Sequence, residues 1–259
     1  MSEAFDLSII IPAYKEGPEF GPRLVKLAGW LKEHDYGQIE VVLMMQSDDG
    51  SGDREIAAED AALFDNLKIV NLGQRAGKGA AVRAGIFEAS GRYRLFMDAD
   101  LATPLEHLDD VYRLMQKDAK VIIAVRDLVR IHKGLMRKFM SKFGNLVAQV
   151  VLLPGIKDTQ CGFKAFEAEA AREIFSRQTM PGWSFDMEVL KIARLQGYKI
   201  EQVLANDWHD PKADTQGLVG DSPIKAAVQT FADIFKIRLN VWAGKYKRKS
   251  FNYESRTQN

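Results

Sequence analysis

Two carboxylates separated by one residue, Asp98 and Asp100, follow the apolar run Leu95-Phe96-Met97 and are the residue types best suited to chemistry. A pair so placed can hold a hard divalent cation, Mg²⁺ or Mn²⁺, that bridges a substrate diphosphate, because such ions accept few carboxylates and complete their shell with phosphate oxygens. Gly77-Lys78-Gly79 offers close backbone approach and a lysine able to meet a phosphate as a point charge. Two further polar stretches, Pro12-Ala13-Tyr14-Lys15-Glu16 and Asp48-Asp49-Gly50-Ser51-Gly52-Asp53, follow earlier apolar runs. His209, in a late polar stretch, is a candidate to complete a metal site. The spacing around Lys78 is not that of a Walker A loop, and no G-x-G-x-x-G follows the first apolar run, so a dinucleotide-binding reading fails.

The elements that must position these loops follow from apolar periodicity. Leu7 to Ile11, Ile39 to Met45, Leu67 to Leu72, Arg92 to Met97 and Lys120 to Val125 are short apolar runs of the kind found in buried strands. Helical spacing occupies Glu19 to Glu33, Arg54 to Phe64, the stretch from Gly79 through Ala89, and Pro104 to about Lys117. Strands alternating with helices predict an α/β fold, a Rossmann-like, mostly parallel sheet covered on both faces. Ligands bind such sheets beyond the carboxyl ends of the strands, and all four polar loops fall there.

The second half predicts a helix over Gly134–Leu153, a loop from Asp158 entering a strand by Phe166, a helix over Ser184–Gln196 and a strand over Lys199–Leu204. A loop over Asp207–Asp221 then leads to a long amphipathic helix, Ser222 to Trp242, with Ser222-Pro223 as N-cap and first-turn proline. Residues 1–210 are expected as the catalytic domain, and 211–259 as a loop, this helix and a basic tail.

Composition sets the outer limits. The chain has 259 residues, 46% hydrophobic and 27% charged, enough for one core of ordinary density. A net charge of +1 offers no global attraction for nucleic acid. The single cysteine, Cys161, excludes an internal disulfide and fits a reducing compartment. Met1 to Asp6 is polar and no run reaches the ~18–20 apolar residues of a spanning helix, so a cytoplasmic protein, peripheral at a membrane, is expected.

Taken in order over residues 7 to 204, Pro12-Ala13-Tyr14-Lys15-Glu16, Asp49-Gly50-Ser51-Gly52-Asp53, Gly77 to Gly85, Asp98-Ala99-Asp100-Leu101-Ala102-Thr103-Pro104 and Asp158-Thr159-Gln160-Cys161-Gly162-Phe163-Lys164 resemble family-two glycosyltransferases of GT-A fold. The resemblance is nearest to the dolichyl- or polyprenyl-phosphate β-glucosyltransferase branch. Mannosyl-transferring relatives tend to carry glutamine after the D-x-D pair, where this chain has Ala102-Thr103, so a glucosyl donor is implied.

The resemblance implies roles. Pro12, Tyr14 and Glu16 line the nucleotide pocket with Lys78, Asp49 reads the uracil edge, Asp98 contacts the ribose or the metal side, and Asp100 ligates the metal. Arg126 meets donor or acceptor phosphate, and Asp158 matches the catalytic aspartate. Trp183, Asp186 and Glu188 match a W-x-F-D-x-E segment on the acceptor side, although core packing is an equal reading for Trp183 and Phe185. The stretch between Glu40 and Asp48-Asp49 is longer than the family's, and a gap-free alignment places Gln46 where the acidic pair belongs. Its amide can also read a base, so the choice between Gln46 and Asp49 stays open.

The implied reaction is inverting transfer of a sugar, glucose from UDP-glucose, onto a polyprenyl or dolichyl phosphate. The helix over 133–153 sets Lys133, Arg137, Lys138 and Lys142 beside Leu135, Met136, Phe139 and Met140. With the Ser222–Trp242 helix and the Lys245–Lys249 tail it predicts attraction to an anionic membrane surface, Arg137 and Lys138 serving the acceptor. A soluble-acceptor glycosyltransferase and a non-catalytic nucleotide-sugar binding protein are the alternatives. A sugar-nucleotide pyrophosphorylase is disfavoured, since strand one is not followed by a glycine-rich loop.

Overall fold

A computed structural model describes residues 4–45, 50–73, 77–126, 152–206, 208 and 223–247. The expectations placed on Gln46, Asp49, Arg137, Lys138 and His209, and on the 134–153 helix as far as residue 151, lie outside the described residues, while Leu152 and Leu153 are buried in a non-helical turn.

The strands are β1 (Phe5–Ala13), β2 (Ile39–Met45), β3 (Leu67–Asn71), β4 (Gly91–Met97), β5 (Val121–Arg126), β6 (Phe163–Glu167) and β7 (Ile200–Ala205). Among the described residues they form one sheet in the order β3-β2-β1-β4-β6-β5-β7. All pairings are parallel except those of β6, which runs antiparallel to both β4 and β5. The expected parallel α/β sheet is therefore present with one reversed strand set inside it.

Side chains alternate across the sheet because successive Cβ atoms in a strand point to opposite faces. Ile10, Val42, Met44 and Phe96 face one layer, and Leu7, Ile9, Ile11, Val41 and Leu43 the other. The first layer holds α3 (Lys78–Glu88), α5 (Ala168–Phe175), α6 (Phe185–Leu195) and α7 (Pro223–Trp242). The second holds α1 (Phe20–Glu33), α2 (Asp53–Glu59) and α4 (His107–Met115). Ile234 and Ile237 of α7, with Tyr246 beyond it, pack into the same apolar cluster as Ile10 and Phe96, so the C-terminal helix shares the core of the sheet. No described helix is long and apolar enough to cross a membrane.

Local differences from the sequence reading have physical causes. Strand β1 runs on through Pro12, which sits opposite Met44 of β2. Helix α4 begins at His107, after a turn over Leu105 and Glu106 whose carbonyls and that of Pro104 accept the first backbone N–H groups. Helix α5 has no Ser, Thr, Asp or Asn to announce it. Its cap is Glu167, whose carboxylate accepts from the N–H groups of Glu169 and Ala170 at 3.1 and 3.2 Å.

Candidate active site

Parallel strands deliver their carboxyl ends to one edge of the sheet, and an antiparallel strand delivers its amino end there. The reversal of β6 thus brings Asp158–Gly162 to the edge where β1, β4 and β5 finish. Asp98 and Gly162 meet directly, the Asp98 N–H donating to the Gly162 carbonyl at 3.1 Å. A Cβ on Gly162 would stand 2.0 Å from Asp98 Oδ2, so glycine here is the room the carboxylate occupies.

Lys78, at the start of α3, contacts Asp98 Oδ1 at 2.5 Å, and its ammonium lies 5.0 Å from the centre of the Trp183 ring. Burial works against the charge on Lys78. The fields of Asp98, Asp186 and Asp100 outweigh that burial and hold its pKa above the ordinary lysine value. Behind Lys78, Lys164 of β6 is wholly buried, hydrogen-bonded to the Cys161 carbonyl at 2.5 Å and paired with Asp186 of α6. Charges alternate from the buried Lys164 and Asp186 out to Lys78 and the part-exposed Asp98, so each buried ionic group faces an opposite charge.

The second cluster is Arg126 with Asp158. The guanidinium bonds both carboxylate oxygens, Nε to Oδ2 at 2.6 Å and Nη2 to Oδ1 at 3.0 Å, a fork matched to a carboxylate. The backbone N–H groups of Arg126 and Gln160 add bonds of 3.2 and 3.0 Å. Burial alone would raise the Asp158 pKa, but Arg126 reverses this and holds it below the usual carboxylate range. Trp208 stacks on the other side, its ring centre 4.9 Å from the guanidinium carbon. Cys161, buried between the clusters, has its thiol pushed up to about 11, chiefly by burial and then by Asp158, which makes it a poor nucleophile.

Asp98 and Asp100 fit a divalent cation. Both supply hard oxygens, the Asp100 carboxylate is turned by accepting the Ala102 N–H at 3.1 Å, and Asp98 already faces a cationic group in Lys78. No cluster of three or more metal-ligating side chains occurs among the described residues. Leu101, just after the pair, has φ 52°, and Lys15, at the end of β1, has φ 55°. Non-glycine residues held there are uncommon and mark loops fixed by their surroundings.

Other expected residues divide by placement. Tyr14 is half-buried, with Lys15 5.5 Å over its ring. The Glu16 carboxylate faces Arg23 at 3.4 Å. Pro12 is half-buried within β1. Trp183 and Phe185, equal candidates for core packing, separate cleanly: Phe185 is fully buried and Trp183 is 73% exposed beside Lys78. Glu188 is buried and saturated, accepting from the Thr179 N–H and hydroxyl, the Met180 N–H and the Tyr246 hydroxyl. It clamps the chain ahead of α6 and presents no free oxygen to an acceptor. The glycines beside Lys78 also differ in use from the expected ligand approach. A Cβ on Gly77 would meet the Pro181 carbonyl at 2.6 Å, and one on Gly79 the Phe185 Cβ at 2.6 Å, so they seat α3 on the chain's own 180–185 segment.

Asp53 was not assigned a role by the sequence. Its carboxylate accepts from the N–H groups of Glu16 and Gly17, each at 2.8 Å, and pins the loop after β1 to the start of α2. The signal was available in an acid opening a helix after Gly-Ser-Gly, a position that favours carboxylates.

Against known proteins, the model of the family described as Glycosyl transferase family 2 matches residues 8–175. The chain is 30% identical to a dolichyl-phosphate beta-glucosyltransferase of Trichomonas vaginalis, over 91% of this chain and 75% of that protein. It is 32% identical to the dolichyl-phosphate beta-glucosyltransferase of Dictyostelium discoideum, over 94% and 77%. Among solved structures, glucosyl-3-phosphoglycerate synthase from Mycobacterium tuberculosis, in complex with Mn²⁺, UDP-glucose and phosphoglyceric acid, aligns over 90% of this chain and 80% of that one. The TM-score is 0.59 at 14% identity, a likeness of fold.

Proposed function

The chain belongs to glycosyl transferase family 2, and on that premise we propose that it moves glucose from UDP-glucose onto dolichyl or polyprenyl phosphate at a membrane surface, with inversion at the anomeric carbon. The observation that carries this reading is the Lys78–Asp98 pair, with Asp100 beside it, at the sheet edge where nucleotide ligands bind. The acceptor follows from the names of the relatives.

In a single displacement, an acceptor phosphate oxygen forms a bond to the anomeric carbon as the bond from that carbon to the diphosphate breaks. Asp98 and Asp100 would hold Mg²⁺ or Mn²⁺, which supplies positive charge to the departing diphosphate. Lys78 adds a fixed ammonium on the same side, its charge secured first by Asp98 and then by Asp186 behind it. Arg126 presents a guanidinium for the acceptor phosphate. Asp158 acts through Arg126, holding the fork in place. A hydroxyl acceptor would need a general base, and an Asp158 already engaged by Arg126 and Gln160 is a weak one. A phosphate monoester carries about −1.5 to −2 charge at pH 7 and needs no such help. Trp183, exposed over Lys78, is placed to cover the donor.

The test is Asp100→Ala with radiolabelled UDP-glucose and dolichyl phosphate in detergent. The variant should lose transfer while its thermal melt is unchanged, and Mn²⁺ should tighten UDP binding in the wild type but not in the variant. Full transfer by Asp100→Ala in chelator overturns the metal assignment. Transfer to soluble acceptors alone overturns the lipid one.

A further inference from the structure

Helix α7 is apolar on two sides. Ile234 and Ile237 face the core, and Asn240 is buried with them. Yet Val228, Phe235, Leu239 and Trp242 are 63%, 66%, 58% and 71% exposed. At about 100° per residue these four fall within an arc of roughly 60°, directly opposite Ile237, and the stripe runs about 21 Å. Ala232, also exposed, lies about 20° beyond the edge of that arc. A contiguous outward stripe of this kind marks an interaction site, whereas scattered exposed apolar residues do not.

The charges around the stripe decide what covers it. Lys236 and Arg238 fall at roughly 80° on either side, and the exposed Lys245 and Lys247 follow the helix. Arg238 lies over the Trp242 ring, 5.5 Å from its centre. The helix's one acid, Asp233, is turned away to Ser184 and Gln229. A second copy docked through this face would set Lys236 and Arg238 against their own counterparts with no acid to pair, because a two-fold interface is self-complementary. An anionic headgroup layer supplies the missing charge, and tryptophan at the end of the stripe is the residue type favoured at a lipid–water boundary.

We propose that the outward face of α7 lies in the surface of an anionic bilayer and sets the height of the active site above it. The link to the site is Asp233, whose bond to Ser184 ties α7 to the loop carrying Trp183, and Trp183 lies against Lys78. The inference rests on the lipid-phosphate acceptor reading, and its test separates the two.

The full chain is sedimented with vesicles of phosphatidylcholine, with or without phosphatidylserine. Wild type should bind the anionic vesicles at low salt and be released as salt rises. Phe235→Ser with Leu239→Ser should lower the bound fraction at least tenfold, and Lys236→Glu with Arg238→Glu should abolish the preference for anionic vesicles. Quenching by brominated lipid, compared between wild type and Trp242→Phe, reads insertion without disturbing the stripe and should be lost in the variant. Unchanged binding by the serine variant, no binding by wild type, or a wild-type dimer that the serine variant dissociates would each overturn the proposal. In detergent, all of these variants should transfer glucose to dolichyl phosphate as wild type does. If wild type transfers to no prenyl phosphate there, the acceptor reading fails while the vesicle result stands.

Discussion

Gly162→Ala is a single-methyl perturbation aimed at Asp98. The added Cβ would lie 2.0 Å from Oδ2, 2.4 Å from Cγ and 2.6 Å from Oδ1, where real Cβ contacts begin near 3.0 Å. The carboxylate must therefore retreat by at least about 1 Å, a distance at which misplacement of reacting groups costs about 10²-fold. The backbones cannot separate to relieve the overlap without stretching the 3.1 Å bond from the Asp98 N–H to the Gly162 carbonyl. Rotation of Asp98 is the open route, and it breaks the 2.5 Å contact with Lys78. Overpacking costs about 1–3 kcal/mol, and a side chain with solvent on one flank belongs at the low end, so the melt should fall by only about 2–4 °C. The expected result is a loss of about 10²-fold in kcat for glucosyl transfer and loss of the Mn²⁺-dependent part of UDP binding, with the circular dichroism spectrum unchanged. Wild-type kcat from a folded Gly162→Ala protein would refute the placement of Asp98 at the reacting diphosphate.

Two further outcomes follow from the buried polar clusters. Asp158→Asn strands the Arg126 charge and should cost about 3 kcal/mol, the low end for breaking a buried pair. Because the Asp158 pKa is depressed in the fold, its contribution is present above about pH 3.9 and is lost as pH falls through the lowered value. Urea unfolding should show the wild-type advantage at pH 7 and its disappearance in strong acid; a constant difference across that range refutes the pairing. Tyr246→Phe removes a 2.6 Å bond to Glu188 and a 3.1 Å contact with Asn240. It should lower stability by about 1–2 kcal/mol and leave kcat and KM within twofold, and a selective loss of acceptor KM would return Glu188 to the binding surface.

The inner parallel strands were legible because they are short apolar runs buried on both faces, as Ile9-Ile10-Ile11 and Val121 to Val125 are, whereas β3 and β7 at the sheet edges are only partly buried. The positions of the D-x-D pair and Arg126 at strand ends, and of Lys78 at the start of a helix, were legible because the apolar runs mark where the strands stop; the role expected of Arg126 came from the resemblance. Strand β6 was foreseen, but its reversed place between β4 and β5 was not, since strand order is a long-range property that a local pattern does not carry. Helix α5 escaped because its cap is a glutamate reaching its own helix. Glu188 and Asp186 illustrate a different limit. Both look like site carboxylates in sequence, yet one is consumed by Thr179, Met180 and Tyr246 and the other is buried against Lys164. Only the partners, which lie from eight to 58 residues away, tell them apart from Asp98.

The reversed strand also bears on how the chain is made. When synthesis has passed Arg126, β3, β2, β1 and β4 can associate, but β4 has an open apolar edge, and β5 has neither neighbour. The ribosome must go on from Met97 to Phe163 before the strand that closes that edge exists, roughly 3–13 s at about 5–20 residues per second. An uncovered strand edge is a template for pairing with another chain. Nascent chains halted between these points should therefore aggregate or be held by chaperones, and those released after α7 and Tyr246 have covered the sheet should not.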